Sequence, residues 1–469
     1  MTLRAMLDSP WTYFAGAGLL ALVAVATQFE LRTPSRDVEG PEAISLLKER
    51  QDLNVVFVVI DTLRADRLGV YGYGRPTSAT LDALARTGVV FSRAVAQSSW
   101  TKTSMASLWT GTNPASHGIL RFNHAVPEQA RMPAEILKEA GFKTAGIWRN
   151  GWVSPNFGFG QGFDVYVRPK AGRERERMQQ RHPGTPRLRG TDEDIAESAV
   201  EFLDTVGDER FLLYLHFMDV HQYIFDEAAS IFGTSYSDAY DQSIHWIDRV
   251  LGFVAANLEE RDLLERTLIV VTSDHGEEFR EHGGEGHARH LHQEVLGVPL
   301  IFVLPFRLEP GLVVDEVVSN VDVWPTILDL LGLPPLPGAD GVSLVPLMLA
   351  AAGESVAAPG LPRPVFSQLD SRWGQPTQES DPLIAVTDGS SRLMMRLDEP
   401  ESVRLYDLAR DPLETRDLAE GEPASAEPMK ALVAEYLSSS RNPWEVGPAE
   451  VELTEMRLDQ LRALGYVIR

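Results

Sequence analysis

The sequence predicts an α/β fold with a mostly parallel central sheet, followed by a smaller carboxyl-terminal α+β part. Continuous β-branched apolar runs recur along the chain, helix-like stretches separate them, and polar clusters stand directly after two of the runs. Its 469 residues, 44 % of them apolar and 23 % charged, suffice for one large or two ordinary domains. Lys plus Arg number 43 against 67 Asp plus Glu, a net charge of −24 that repels phosphate backbones, so nucleic acid is not expected as a partner. Cysteine is absent, which excludes disulfides, thiolate metal sites and Cys nucleophiles.

Residues 13–26 are almost wholly apolar, with Arg4 before them and Glu30 and Arg32 after. Within residues 1–36 this pattern fits a signal peptide cut near Ala24-Val25-Ala26 or a short membrane anchor, the alternative being a buried helix. The expectation is export to the periplasmic or extracellular face, with membrane association through this segment if it is uncleaved. Asn54 to Ile60 reads as a strand buried on both faces and presents Asp61 and Thr62 at its carboxyl end. Helices are expected over Leu81–Thr87 and Ala134–Ala140, and strands over Lys143–Trp148, Phe211–Phe217 and Thr267–Thr272. The last of these runs into Ser273-Asp274-His275-Gly276. Pro299–Leu304 and Val323–Leu331 add a strand and a helix. Val167–Arg189, rich in Arg and nearly devoid of apolar residues, reads as an exposed insertion, either a solvated loop or a docking patch for an anion. Ala350–Pro364, rich in Ala, Gly and Pro, marks a seam between a catalytic domain (50–349) and a carboxyl-terminal subdomain (365–469).

A parallel sheet delivers the carboxyl ends of its strands to one edge, where ligands of α/β folds bind. Asp61, Asp274 and His275 stand at such ends and suit a divalent cation, Ca²⁺, Mn²⁺, Mg²⁺ or Zn²⁺, without choosing among them. Each Asp has a simpler reading as a cap. Trp100 to Ser104 forms a hydroxyl-rich turn opening an apolar helix over Met105–Gly111. A hydroxyl beside a dication is acidified and becomes a nucleophile without a neighbouring base, which makes Thr101 the candidate; ordinary capping is the alternative.

These residues resemble the sulfatase family of the alkaline phosphatase superfamily over about residues 53–469. Val58-Val-Ile-Asp61-Thr-Leu-Arg64-Ala-Asp66 is similar to the family's first metal block, and Ser99-Trp-Thr101 through Thr110-Gly111, with Pro114-Ala-Ser-His117-Gly118, to its nucleophile helix. Phe217-Met-Asp219-Val-His221 resembles an intermediate block, and Thr272-Ser-Asp274-His275-Gly276-Glu277 with His287 the second metal block. Leu405-Tyr-Asp-Leu408 and Leu461-Arg-Ala-Leu-Gly-Tyr466 are similar to its carboxyl-terminal signature. The sequence departs from the family where Cys or Ser, Pro and Arg are replaced by Thr101, Thr103 and Met105, and where a second Asp is Thr62. Thr cannot be oxidised to the formylglycine aldehyde, so that group is not expected; superfamily relatives that use Thr directly are phosphodiesterases and lipid phosphotransferases.

The resemblance implies an alkaline-phosphatase-like α/β/α sandwich in which Asp61, Asp274, His275 and the oxygen of Thr101 hold one divalent metal ion. It implies attack by Thr101 on sulfur or phosphorus, a covalent ester, and its resolution by water or an alcohol. Lys102, His221 and His287 are then expected to neutralise charge or protonate the leaving group, Lys102 being exposed in the alternative reading. A second cation on Asp219, His221 and His287 is a further option, with His117 and His282 left as structural histidines. The expected substrate is an anionic sulfate or phosphate ester of a sugar, lipid or aryl alcohol. A membrane-anchored phospho-headgroup transferase and a non-catalytic binding protein are the competing functions.

Overall fold

The computed structural model describes residues 36–170, 190–223, 230–375, 378–399, 401–421 and 423–454. The apolar amino-terminal segment, nearly all of the Arg-rich insertion and the Leu461–Tyr466 block therefore lie outside the described residues. Among those described, no helix is long and apolar enough to cross a membrane.

Eight strands form the main sheet: β1 (Asn54–Ile60), β2 (Val89–Val95), β3 (Lys143–Trp148), β4 (Val165–Val167), β5 (Phe211–Phe217), β6 (Thr267–Thr272), β7 (Gly297–Val303) and β8 (Leu312–Ser319). Their order is β8-β2-β7-β6-β1-β5-β3-β4. All neighbouring pairs are parallel except the two made by β7, which runs antiparallel to β6 and β2. β1, β5 and β7 are buried along their whole length, as unbroken apolar runs require when both faces are covered. One layer packs Trp109, Trp324 and Tyr214 around Phe57; the other packs Val58, Ile60 and Leu215 against helices that include Tyr236–Glu259. The sandwich is thus α/β/α.

Four antiparallel strands follow: β9 (Val365–Asp370), β10 (Pro382–Asp388), β11 (Ser391–Arg396) and β12 (Arg404–Asp407). Helix Pro423–Ser439 packs on one face of this smaller sheet through Met429 and Val433. Val365, Leu369 and Trp373 belong to the same apolar cluster as the main sheet. The smaller sheet therefore packs on the core of the main one.

Most predicted elements match to within two residues, and β1, β3, β5 and β6 match at both ends. The helix expected over Met105–Gly111 is the exception, because α1 (Thr101–Thr110) starts at Thr101 itself. Thr101 to Ser104 form its first turn, not a turn ahead of it, since Ser104 N–H already bonds the Trp100 carbonyl. All ten residues of α1 are buried, which a helix threaded through the core permits and an amphipathic surface helix does not.

Candidate metal centre and active site

Four adjacent parallel strands, β6-β1-β5-β3, end side by side; Ile60 is in register with Phe217, Val59 with Thr272, and Trp148 with His216. Their ends present Asp61, Asp274 and His275, together with Asn150. The Asp61, Asp274 and His275 ligand atoms lie within 4.8 Å of one another, and all three residues are fully buried. Asp61 Oδ1 and Asp274 Oδ2 accept no hydrogen bond, although His275 Nε2 stands 3.3 Å from the latter. Buried carboxylate oxygens left this way are costly unless a cation answers them. Asp61 is held well below the usual carboxylate range: burial opposes ionisation, but the His216 hydrogen bond and the fields of His221 and His275 outweigh it. His275 Nδ1 faces the Gly276 carbonyl at 2.9 Å, so Nδ1 carries the proton and the Nε2 lone pair points at Asp274 and Thr101. Thr101 Oγ1 is 3.2 Å from that nitrogen. Two carboxylates, an imidazole lone pair and a hydroxyl fit a divalent cation.

Thr62 does not replace a carboxylate. Its hydroxyl bonds the Asp61 carbonyl at 2.7 Å, its N–H reaches Asp274 Oδ1 at 3.2 Å, and its φ of 61° is an outlier for a β-branched residue. That local strain sets the turn that aims Asp61 and Asp274 at each other.

His287 and His221 join the cluster from two loops. His287 packs on His275 with ring centres 4.5 Å apart and on His221 at 5.0 Å. His287 Nδ1 bonds the buried Glu277 carboxylate at 3.0 Å. Burial disfavours the imidazolium of His287, but Glu277 more than compensates and its pKa is raised; for His221 burial prevails and the pKa is lowered.

One expectation is corrected, and one option finds no support. Lys102 is fully buried, not exposed, and does not stand ready as a charged arm. Its Nζ donates to the Phe122 and His124 carbonyls and lies 3.6 Å from the Phe157 ring centre and 4.6 Å from that of Trp152, and burial pushes its pKa well down. Asp219 does not complete a second cation site with His221 and His287. Its carboxylate is engaged by Arg149 and the Asp192 amide, because the buried guanidinium needs both acids. His117 is a satisfied core histidine, bonded by Ser107 Oγ and the Ile119 amide.

Sequence reasoning missed Asn150, His216 and Glu277. Asn150 Nδ2 and His216 Nε2 both reach Asp61 Oδ2, at 2.5 and 3.1 Å. Asn150 follows a predicted strand, so the strand-end rule that found Asp61 applies to it equally. His216 lies inside β5, where only its neighbours in space mark it.

A family model described as Sulfatase matches residues 53–333, and one described as N-sulphoglucosamine sulphohydrolase, C-terminal, matches residues 281–442. Human arylsulfatase A is 25 % identical over 427 residues, covering 78 % of this chain and 83 % of that protein. Rat steryl-sulfatase is 34 % identical over 175 residues, or 34 % of this chain, and the match spans only 30 % of its length. Among solved structures, the phosphonate monoester hydrolase of Agrobacterium radiobacter superposes with a TM-score of 0.62 at 18 % identity, covering 86 % of this chain and all of the other.

Proposed function

The chain belongs to the sulfatase family, and from that premise we propose that it is a metal-dependent hydrolase of sulfate or phosphate-type esters with Thr101 as the nucleophile. The observation that carries this reading is the pair of orphaned oxygens on Asp61 and Asp274, gathered with the His275 lone pair beside the Thr101 hydroxyl. Asp61, Asp274 and His275 would hold the cation, with Thr101 Oγ1 beside them. When bound, it supplies the positive charge that acidifies the Thr101 hydroxyl. The Thr101 hydroxyl proton passes to solvent, Oγ1 bonds to sulfur or phosphorus as the bond from that centre to the ester oxygen breaks, and water then bonds to the same centre as the bond to Oγ1 breaks, the threonine oxygen regaining a proton from solvent. His287, whose pKa Glu277 raises, is the group to give a proton to the leaving oxygen, and His221, whose pKa burial lowers, is the group to take one from the attacking water. Lys102 serves by anchoring the first turn of α1 to the Phe122–His124 loop.

Arylsulfatases and phosphonate monoester hydrolases both stand among the similar proteins, so both sulfur and phosphorus centres enter the test. The expected location is outside the cytoplasmic membrane, on the strength of the apolar residues 13–26. The test is turnover of an aryl sulfate, an aryl phosphate mono- and diester and an aryl phosphonate by the purified chain, with and without chelator. Turnover of at least one, lost on chelation and restored by Ca²⁺, Mn²⁺, Mg²⁺ or Zn²⁺, is expected. No turnover with any of the four ions overturns the proposal.

A further inference from the structure

Glu414, in the loop after β12, is buried and holds a left-handed backbone conformation with φ of 53°. Its carboxylate takes no part in the proposed chemistry. Oε1 accepts from the fully buried Arg392 at 3.2 Å, while Oε2 accepts from His292 Nδ1 at 3.0 Å and from the Gln293 amide at 2.7 Å. His292 and Gln293 open the helical turn Gln293–Leu296, and this turn braces the strand end that bears Asp274 and His275. The Val295 carbonyl accepts from the Gly276 amide at 2.9 Å, and the Glu294 carbonyl from the Glu277 amide at 3.1 Å. The two backbones touch, since a Cβ on Gly276 would stand 2.1 Å from the Glu294 carbonyl oxygen. The Gly276 carbonyl in turn fixes the His275 ring through Nδ1 at 2.9 Å, and Glu277 bonds His287 Nδ1 at 3.0 Å.

We propose that Glu414 is a positioning residue for the active site: from the loop after β12 it pins the Gln293–Leu296 turn, and through that turn it fixes His275 and the Glu277–His287 pair. This role rests on the reaction proposed above, in which His275 binds the cation and His287 serves the leaving oxygen. A carboxylate that only neutralised Arg392 would need no contact with the turn. Glu414 divides its oxygens instead, one for the guanidinium and one for the turn. Every link in the chain is a hydrogen bond between buried groups, where a lost partner is costly and each bond is strengthened by the low dielectric. The far end is equally tight. With the Glu294 carbonyl set against Gly276, the turn cannot move toward the strand end without displacing it, because packed interiors transmit strain. Outer contacts of this kind are worth about 10–100-fold in metal affinity or activity.

The test separates this role from the support that Glu414 gives the fold. In Glu414→Leu/Arg392→Met both charges go together, so no guanidinium is stranded and apolar side chains fill the space. Glu414→Gln/Arg392→Met returns an acceptor oxygen to the turn without the charge. With the aryl ester that the substrate panel identifies, the leucine variant should lose about 10–100-fold in kcat with KM within about twofold, and the glutamine variant should recover to within about threefold of wild type. Hydrogen exchange of the Gly276 and Glu277 amides, read by mass spectrometry on the full chain, should be about tenfold faster in the leucine variant and as slow as wild type in the glutamine variant. Exchange in β1 and β5 should be alike in all three. A leucine variant with kcat within about twofold of wild type, or with these amides still protected, overturns the assignment, as does a glutamine variant equally impaired. Faster exchange throughout β1 and β5 marks general loosening and overturns it too. If the wild type turns over none of the esters, the hydrolase reading fails and the exchange data alone decide the role of Glu414. Should the leucine variant fail to fold, Glu414→Asp with Arg392 intact, one carbon short of the turn but still an anion for the guanidinium, takes its place under the same criteria.

Discussion

Replacing Thr101 by Val removes the hydroxyl while keeping the branched shape, and the surroundings set what each property should lose. Thr101 is fully buried at the first position of α1, with its hydroxyl 3.2 Å from His275 Nε2. Losing one such hydrogen bond costs about 1 kcal/mol, a fraction of the roughly 5–15 kcal/mol that holds a domain folded, so Thr101→Val should purify with an unaltered circular dichroism spectrum. Removing the only nucleophile is of another order. Deleting an attacking hydroxyl elsewhere costs on the order of 10⁶-fold in kcat, about 8 kcal/mol of transition-state stabilisation, and the residue of activity comes from binding and charge stabilisation alone. Thr101→Ser, which keeps the oxygen, should retain turnover within about tenfold, the missing methyl being worth roughly 1 kcal/mol of packing. The assay is single-turnover hydrolysis of whichever aryl ester the substrate panel identifies, at saturating metal. If Thr101→Val turns over at more than one-tenth of the wild-type rate, water attacks directly and the covalent route is wrong.

Further outcomes follow from neighbouring contacts. Asn150→Ala should weaken metal affinity by about 10–100-fold, measured by calorimetry, because Asn150 holds Asp61 Oδ2 in place; an unchanged affinity would show that His216 alone orients Asp61. Glu277→Gln should lower kcat by about 10²-fold with little change in KM, and combining it with His287→Ala should add almost nothing, since both changes remove one proton donor. Additive losses would separate the two residues. Glu414→Gln should destabilise the fold by about 3–5 kcal/mol in urea titrations, for it strands the fully buried Arg392 guanidinium. The acid limb of stability should change as well. Burial favours protonation of Glu414, but Arg392 and His292 outweigh it and hold its pKa below the ordinary value. The unfolded chain therefore binds more protons, so this contribution is complete above the ordinary carboxylate pKa and fades as pH falls through the lowered one. Glu414→Gln should flatten that part of the stability profile, and an unaltered acid limb would rule the pair out as its source.

Strand positions were legible because a strand covered on both faces can be little other than a continuous apolar run, as β1 and β5 are. From those runs alone came the polar strand ends, and with them Asp61, Asp274 and His275. The start of α1 was not legible. Its first turn is polar yet buried, satisfied by distant groups such as the Ile119 and Asp274 carbonyls that accept from Thr103 and Ser104. Nor could the sequence say that Lys102 lies inside an aromatic cage, since Trp152 and Phe157 reach it from a loop dozens of residues away.

Local chemistry alone therefore nominated side chains for a cation site and a hydroxyl for the proposed attack. Tertiary structure decided their pairing: Asp219 went to Arg149, Glu277 to His287, and Asn150 with His216 to Asp61. The reason is that burying a charge is costly until a partner answers it, and the partner is chosen by which strand ends and loops the sheet brings within about 3 Å. That distance is a property of the folded chain and not of residue spacing.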